Sequence, residues 1–200
     1  MKTIKVKLTF TEGILGTSPS NPDIYRDYIG SKAPDAATVE DEVEALGVDM
    51  VVEKAMTVFP RNKDGIPFMY DYQIKGFFKD TCGGLRRVKG TESSKIKAFK
   101  KEIDKLIFPS PREIVFDNVT EIGVCERPLR ASTPQCEVTA IAISEEISAG
   151  ATLTFDIVLL SDDHEALVRE WLDYGRLSGI GQWRNSGKGR FVWEEIKSEE

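Results

Sequence analysis

The chain has little cysteine and histidine, because its 200 residues include three cysteines and one histidine. The cysteines lack C-x-x-C spacing, which argues against a disulfide framework or a zinc knuckle and favours reduced thiols. No apolar run approaches the roughly 18 residues that a membrane-spanning helix needs, and residues 1–10 lack the apolar core of a signal peptide. These absences predict a cytoplasmic protein with no membrane partner, no metal and no other cofactor.

The sequence strings that mark common enzyme classes are also missing. H-E-x-x-H, a P-loop and G-x-S-x-G do not occur. The single histidine, His164, follows two aspartates before a predicted helix, where a structural role is favoured over that of a general base. Asp23 and Asp27 lie in a polar loop, where carboxylates usually form caps and turns. The sequence therefore favours a non-enzyme with no catalytic residue, and it leaves open whether Asp23 or Asp27 acts in catalysis.

What the chain does have is a globular composition with unevenly distributed charge. A hydrophobic fraction of 40% and a charged fraction of 30% are typical of globular proteins. The net charge is −6, yet residues 75–105 hold ten basic and four acidic side chains, so this segment carries +6 and the remainder −12. Either a basic binding face on an acidic body or an ordinary solvated helix face accounts for this asymmetry.

Hydrophobic periodicity predicts an α+β protein. Alternation over residues 4–10 is typical of a half-buried strand, and Ile96, Phe99, Ile103 and Leu106 recur at helical spacing. The predicted strands are 4–10, 50–59, 66–70, 113–116, 119–125, 137–144, 153–160 and 191–196. Helices are predicted over 38–46, 74–88 and 165–177. A further helix lies between the second and third of these: Ser93 or Ser94 is its predicted N-cap, and Pro109 and Pro111 end it. A turn at residues 62–65 joins two of the strands into a predicted hairpin. This order favours a sheet with helices on one face, of the split β-α-β type.

The most informative stretch is the run GIGQWRNSGKGRF over residues 179–191. Its glycines allow a ligand backbone to approach closely or the chain to adopt positive φ. Arg184, Lys188 and Arg190 offer charge-assisted hydrogen bonds to phosphate, and Trp183 offers a stacking surface for a base. The run indicates a loop that holds a nucleic-acid backbone. The other interpretation is a solvent-exposed turn before a C-terminal strand.

Four landmarks in this order resemble the RAMP superfamily of CRISPR-associated RNA-binding proteins, and most closely the subunits that form the guide-RNA-binding backbone. They are IKVKLTF before a polar loop, YDYQIKGFFKDTCGGLRR, EEISAGATLTFDIVLL before an acidic pair, and the closing glycine-rich run. Lys75-Gly76 and Arg86 or Arg87 match the family's helix-start pattern, although its Pro-Gly-Ser is absent. The resemblance implies an RRM-like (ferredoxin-like) antiparallel sheet with loop insertions. It also implies binding of single-stranded RNA through backbone contacts, and self-association or assembly with other CRISPR-type subunits.

The segment after residue 75 and the glycine-rich run are predicted to share one RNA-binding face. The predicted RNA-binding residues are Lys75, Lys79, Arg86, Arg87, Gly181, Trp183, Arg184, Lys188, Gly189 and Arg190. Tyr70, Tyr72 and Trp183 are candidates for stacking on bases, whereas core packing is predicted for Phe77, Phe78, Trp171 and Trp193. Residues 1–200 are expected to form a single RRM-like domain with insertions at about 11–37 and 89–112.

Two functions of different classes follow from these features. The first is a non-catalytic single-stranded RNA-binding subunit of a CRISPR-type ribonucleoprotein, which the clustered positive charge favours. The second is a phage-encoded protein-interaction module or inhibitor that mimics such a subunit, which the net negative charge favours.

Overall fold

The computed structural model describes residues 1–20, 56–119, 121–132 and 137–196, with side chains at 129–132 and 137–140 excepted. The predicted helix 38–46, most of the strand 50–59, Asp23, Asp27 and Cys136 lie outside the described residues. The described strands are β1 (Lys2–Phe10), β2 (Ile14–Leu15), β3 (Ser18–Pro19), β4 (Thr57–Val58), β5 (Phe68–Tyr70), β6 (Ile107–Ser110), β7 (Glu113–Asp117), β8 (Ile122–Ser132), β9 (Glu137–Ile147), β10 (Thr152–Leu159) and β11 (Phe191–Glu195). The described helices are α1 (Asp71–Leu85), α2 (Phe99–Leu106) and α3 (His164–Ser178).

The main sheet has the strand order of a ferredoxin-like fold. β1 pairs with β11 on one side and β10 on the other, and both β6 and β7 pair with the remaining edge of β10. All these pairings are antiparallel. Because α1 follows β1 and α3 follows β10, the chain completes a β-α-β-β-α-β unit. The predicted α+β class with an antiparallel sheet is confirmed.

The core forms between one face of this sheet and the helices. Alternate residues of β1 are buried, as the sequence predicts, and they join one cluster with apolar residues of α1 and α3. Phe78 of α1 and Trp171 of α3 lie with ring centroids 5.4 Å apart. Both are fully buried, which stabilises the fold by about 1.5–3 kcal/mol for each such side chain. The predicted packing role of Phe77, Phe78 and Trp171 is confirmed.

A second sheet is built on a long hairpin. β8 and β9 pair antiparallel over eleven residues each, and β9 also pairs with β2 and β4. The predicted strand 119–125 is therefore displaced and too short, and the predicted strand 137–144 begins at the correct residue but ends too early. Pro128 lies within β8 and interrupts the sequence pattern. Proline is tolerated on an edge strand, and β9 is the one described partner of β8.

The predicted hairpin between 50–59 and 66–70 is confirmed only next to its turn, where the Phe68 N–H donates to the Pro60 carbonyl and Arg61 pairs with Pro67. The turn itself forms, since Asn62 Oδ1 accepts hydrogen bonds from the backbone N–H groups of Asp64 and Ile66. However, β4 pairs with β3 and β9 in the second sheet, whereas β5 pairs with β7 in the main sheet. The turn is a local property, and long-range packing decides which strand each arm joins.

Part of the predicted insertion 89–112 belongs to the main sheet. β6 lies inside this stretch and pairs with β10 over four residues. Pro109 lies within β6, where a proline argues against a strand in the sequence. The extent of a single domain over 1–200 stays a prediction.

The predicted serine cap before α2 is also wrong. α2 begins at Phe99, and the short 3-10 turn Glu92–Ser94 is capped instead by Thr91, whose side chain accepts a hydrogen bond from the Ser94 N–H. Ser93 is buried, and its Oγ accepts a hydrogen bond of 2.8 Å from Trp171 Nε1. None of the described helices is long and apolar enough to cross a membrane.

Candidate functional site

An open groove of about 1340 Å³ runs along the outer side of α1. The start of α2 and the end of α3 form its walls, so it lies among the helices and not on the face of the sheet that they leave uncovered. We call it the α1 groove, and its main lining residues are Lys79, Gly83, Gly84, Arg86, Arg87, Phe99, Lys100 and Tyr174.

Three cations of the α1 groove have no carboxylate partner among the described residues. They are Arg86, Arg87 and Lys100, all exposed. Arg86 lies over the ring of Phe99 at 5.2 Å from its centroid. By contrast, Lys79 forms an ion pair of 2.5 Å with Asp104. The groove therefore concentrates uncompensated positive charge on a protein whose net charge is −6.

The position of Arg86 and Arg87 follows from where α1 ends. The helix stops at Leu85 and not at residue 88 as predicted, so Arg86 is its C-cap and Arg87 follows it. The Arg86 N–H bonds the Cys82 carbonyl, and the Arg87 N–H bonds the Gly84 carbonyl. Both side chains consequently leave the chain at the helix end that borders the groove.

Glycines bring the backbone of α1 to the floor of the groove. A Cβ added at Gly76 or Gly84 would meet no atom within 4 Å, and one at Gly83 would lie 3.8 Å from the Phe99 ring. Glycine inside a helix costs about 0.5–1 kcal/mol relative to alanine. Packing within the described protein does not require these glycines, and they leave the backbone of α1 open to the groove.

A smaller pocket of about 350 Å³ continues the groove toward the glycine-rich run. It shares Gly76 and Asp80 with the α1 groove. Gly181 and Arg184 line it, and Arg184 Nη1 lies 2.6 Å from Asp80 Oδ2. The structure thus brings Lys79, Arg86, Arg87, Gly181 and Arg184 of the predicted site along one path.

Five predicted residues do not line this path. Trp183 is exposed and lines neither the groove nor the smaller pocket. Lys75 Nζ lies 4.3 Å from the centroid of the Phe108 ring, and Lys188 Nζ lies 2.5 Å from Glu146 Oε1 in an ion pair. Gly189 is buried, and a Cβ there would collide with the Ile180 carbonyl oxygen. Arg190 Nε is buried and has no hydrogen-bond partner among the described residues.

The glycine-rich run contains a point at which two of its own segments pass close to each other. Gly179, Gly181, Gly187 and Gly189 all have φ between 71° and 89°. The backbone N–H of Ile180 donates to the Gly189 carbonyl at 2.9 Å, and a Cβ at Gly179 would lie 2.5 Å from the Lys188 carbonyl oxygen. Gly179 and Gly189 therefore allow two segments of this run to pass closely, whereas Gly187 faces open space apart from the Arg190 side chain.

Sequence reasoning missed three residues near this path. Lys100 belongs to the basic segment but is not among the predicted site residues, and Tyr174 is half-buried and lines the groove. Arg127 carried no sequence signal, yet its guanidinium lies 5.3 Å from the Trp183 ring centroid. Its position depends on the register of β8 against β9.

The histidine and the buried cysteine near the groove lie apart from its surface. His164 is 6% exposed, and its Nε2 lies 3.2 Å from Glu102 Oε2, which joins the start of α3 to α2. Cys82 is buried behind the groove, and burial raises the pKa of its thiol. Burial and the raised pKa both disfavour the thiolate, which is the nucleophilic form. Of the described side chains that line the groove, none is histidine or cysteine.

The chain is similar in fold to chains of solved structures. No protein-family model and no curated protein matches the chain. A chain of the type III-B Cmr-beta complex bound to cognate target RNA, determined by cryo-EM, is 12% identical, with a TM-score of 0.48. The match covers 98% of this chain and 59% of that one, so this chain spans little more than half of its length. A likeness of this degree assigns neither family nor function.

Proposed function

We propose that this chain is a non-catalytic subunit of a CRISPR-type ribonucleoprotein and that it holds the backbone of single-stranded RNA in the α1 groove. The observation that carries the proposal is the grouping of Arg86, Arg87 and Lys100, without carboxylate partners among the described residues, around a helix surface of glycines. The sequence resemblance to guide-RNA-binding backbone subunits points to the same ligand.

The charges favour a polyanion as the ligand. Arginine and lysine side chains without carboxylate partners can neutralise the phosphates of a nucleic acid, and the counterions of those phosphates are then released. The exposed backbone at Gly76 and Gly84 lets a phosphate or ribose lie against α1 where a side chain would otherwise stand. Such contacts position a strand without reading its sequence.

Tyr174 favours a single strand over a duplex. It is half-buried at the wall of the groove, whereas Phe99 is buried and Arg86 covers its ring. An unpaired base can stack on a planar side chain for about 1–3 kcal/mol, and a paired base is not free to do so. The groove therefore binds a strand through both its phosphates and its bases.

The second candidate, a protein-interaction module or inhibitor, is favoured by the net charge of −6. An acidic body imitates nucleic acid and attracts basic partners. The two candidates differ in their ligand: the RNA-binding subunit binds an oligonucleotide by itself, whereas the inhibitor binds a protein subunit and leaves the oligonucleotide free.

The purified protein is expected to bind a labelled single-stranded RNA with little sequence preference and with strong salt dependence. Each phosphate contact contributes about −0.7 to the slope of log affinity against log salt for single strands, so three cations give a slope of about −2. Fluorescence anisotropy over a salt series measures this slope. A matched hairpin RNA is the control. No binding to any single strand at low salt would refute the proposed function.

Gly76→Ala and Gly84→Ala are expected to move stability and RNA affinity in opposite directions. Alanine raises the free energy of unfolding by about 0.5–1 kcal/mol at each site, because it lowers the entropy of the unfolded chain and clashes with nothing. The added methyl groups weaken RNA binding by keeping the strand away from α1. Urea denaturation and anisotropy measure the two effects. Unchanged affinity in a stabilised double variant would show that the strand does not touch α1.

A further inference from the structure

Arg127 is a buried cation without a charge partner in the part of the chain that the structure describes. It is 6% exposed, and its acceptors are both neutral: Ser144 Oγ at 3.1 Å and Gln182 Oε1 at 2.7 Å. The two carboxylates that follow Ser144 are engaged elsewhere, since Glu145 pairs with Arg61 and Glu146 with Lys188. A buried charge is normally paired or bound to a counter-ion.

Trp183 lies beside this cation in a strained conformation. Its φ of 54° is left-handed, which is unusual for a bulky residue, and 37% of its surface is exposed. The Arg127 guanidinium lies 5.3 Å from its ring centroid. Strained residues of this kind cluster at ligand sites. The arrangement places a half-exposed aromatic ring next to an uncompensated guanidinium.

Gln182 occupies the place where an anionic oxygen would bind. It lies between Gly181 and Trp183 in the glycine-rich run and is partly exposed. Its amide oxygen satisfies one guanidinium N–H without neutralising the charge. Arg127 Nη1 and Nη2 donate hydrogen bonds to Ser144 and Gln182, and a phosphate accepts such donors more strongly than an amide does.

We propose that Arg127, Gln182 and Trp183 form a site for one nucleotide unit of a single strand. The phosphate displaces the Gln182 amide from the Arg127 guanidinium, and the base stacks on the exposed part of the Trp183 ring. The inference rests on the proposed function, because Gly181 and Arg184 beside this site line the pocket that continues the α1 groove. The strand bound in the groove ends its path here.

Gln182→Glu tests the site, with Asn185→Asp as the matched control. Glutamate at 182 supplies the missing carboxylate, so it pairs with Arg127 and excludes a phosphate. Asn185 is exposed in the same loop, and no contact joins it to Arg127, so Asn185→Asp adds the same charge without closing the site. We expect Gln182→Glu to lower RNA affinity about tenfold more than Asn185→Asp does, as the loss of a charged hydrogen bond implies. Its melting temperature is expected to be unchanged or raised.

Trp183 fluorescence gives an independent measurement on the unmodified protein. An oligouridine is expected to quench the emission, and an abasic oligomer with the same phosphates is expected to quench it much less. In Trp183→Phe, neither oligomer is expected to quench the remaining emission. Equal affinity of Gln182→Glu and Asn185→Asp, or quenching that persists in Trp183→Phe, overturns this site while RNA binding by the groove stands. Failure of the unmodified protein to bind RNA at all overturns the proposed function instead.

Discussion

Replacing Arg86 and Arg87 together with alanine is expected to weaken single-stranded RNA binding by about tenfold to a hundredfold, with little change in melting temperature. Both side chains are exposed at the end of α1 and have no carboxylate partner among the described residues. The loss removes two phosphate contacts, so the salt slope falls by about 1.4. Stability loses only the contact of Arg86 with Phe99, which contributes about 0.5–1 kcal/mol at an exposed site.

The matched control for this pair is Lys63→Ala with Arg176→Ala. Both residues are exposed and neither lines the α1 groove, so the control removes the same charge from elsewhere on the surface. Anisotropy and thermal unfolding are measured on both double variants. An equal loss of affinity in the control would mean that net charge and not the groove attracts RNA. A lower melting temperature in the Arg86 and Arg87 variant would show that these two side chains stabilise the fold.

Gly189→Ala is expected to destabilise the protein by several kcal/mol. Its φ of 71° costs an alanine about 1–2 kcal/mol, and the added Cβ would collide with the Ile180 carbonyl oxygen, so the crossing of the run has to open. If the run holds a ligand backbone, the sequence predicts that bulk at Gly181 or Gly189 abolishes binding while the fold survives. The buried position of Gly189 favours a structural effect instead.

Gly187→Ala is the control for this effect, because Gly187 has a φ of 88° but its Cβ position is 3.5 Å from the nearest atom, which belongs to Arg190. It isolates the conformational cost from the collision. Urea denaturation of both variants gives the difference in free energy of unfolding. A folded Gly189→Ala variant of normal stability that no longer binds RNA would restore the interpretation of this glycine as a ligand contact.

Local sequence patterns determined the elements whose signals are periodic and near in sequence. Alternation predicts β1, and helical spacing with an acidic start predicts α3 within one residue at each end. Their order was enough to predict a split β-α-β sheet, because short connections and antiparallel pairing restrict the possible topologies. The residue types of the basic segment also predicted Arg86 and Arg87 as candidates for binding a polyanion.

The tertiary structure alone decided strand partners and which candidates meet. β5 joins the main sheet and β4 the second because distant hydrophobic faces, and not the turn between them, set the pairing. Lys75 and Lys79 are one helical turn apart in the sequence, yet Lys79 lines the groove while Lys75 lies over Phe108. The buried charge of Arg127 arises when β8 packs against β9 and the glycine-rich run covers it. A charge without a partner is a property of what surrounds a residue in space, and sequence neighbours do not specify it.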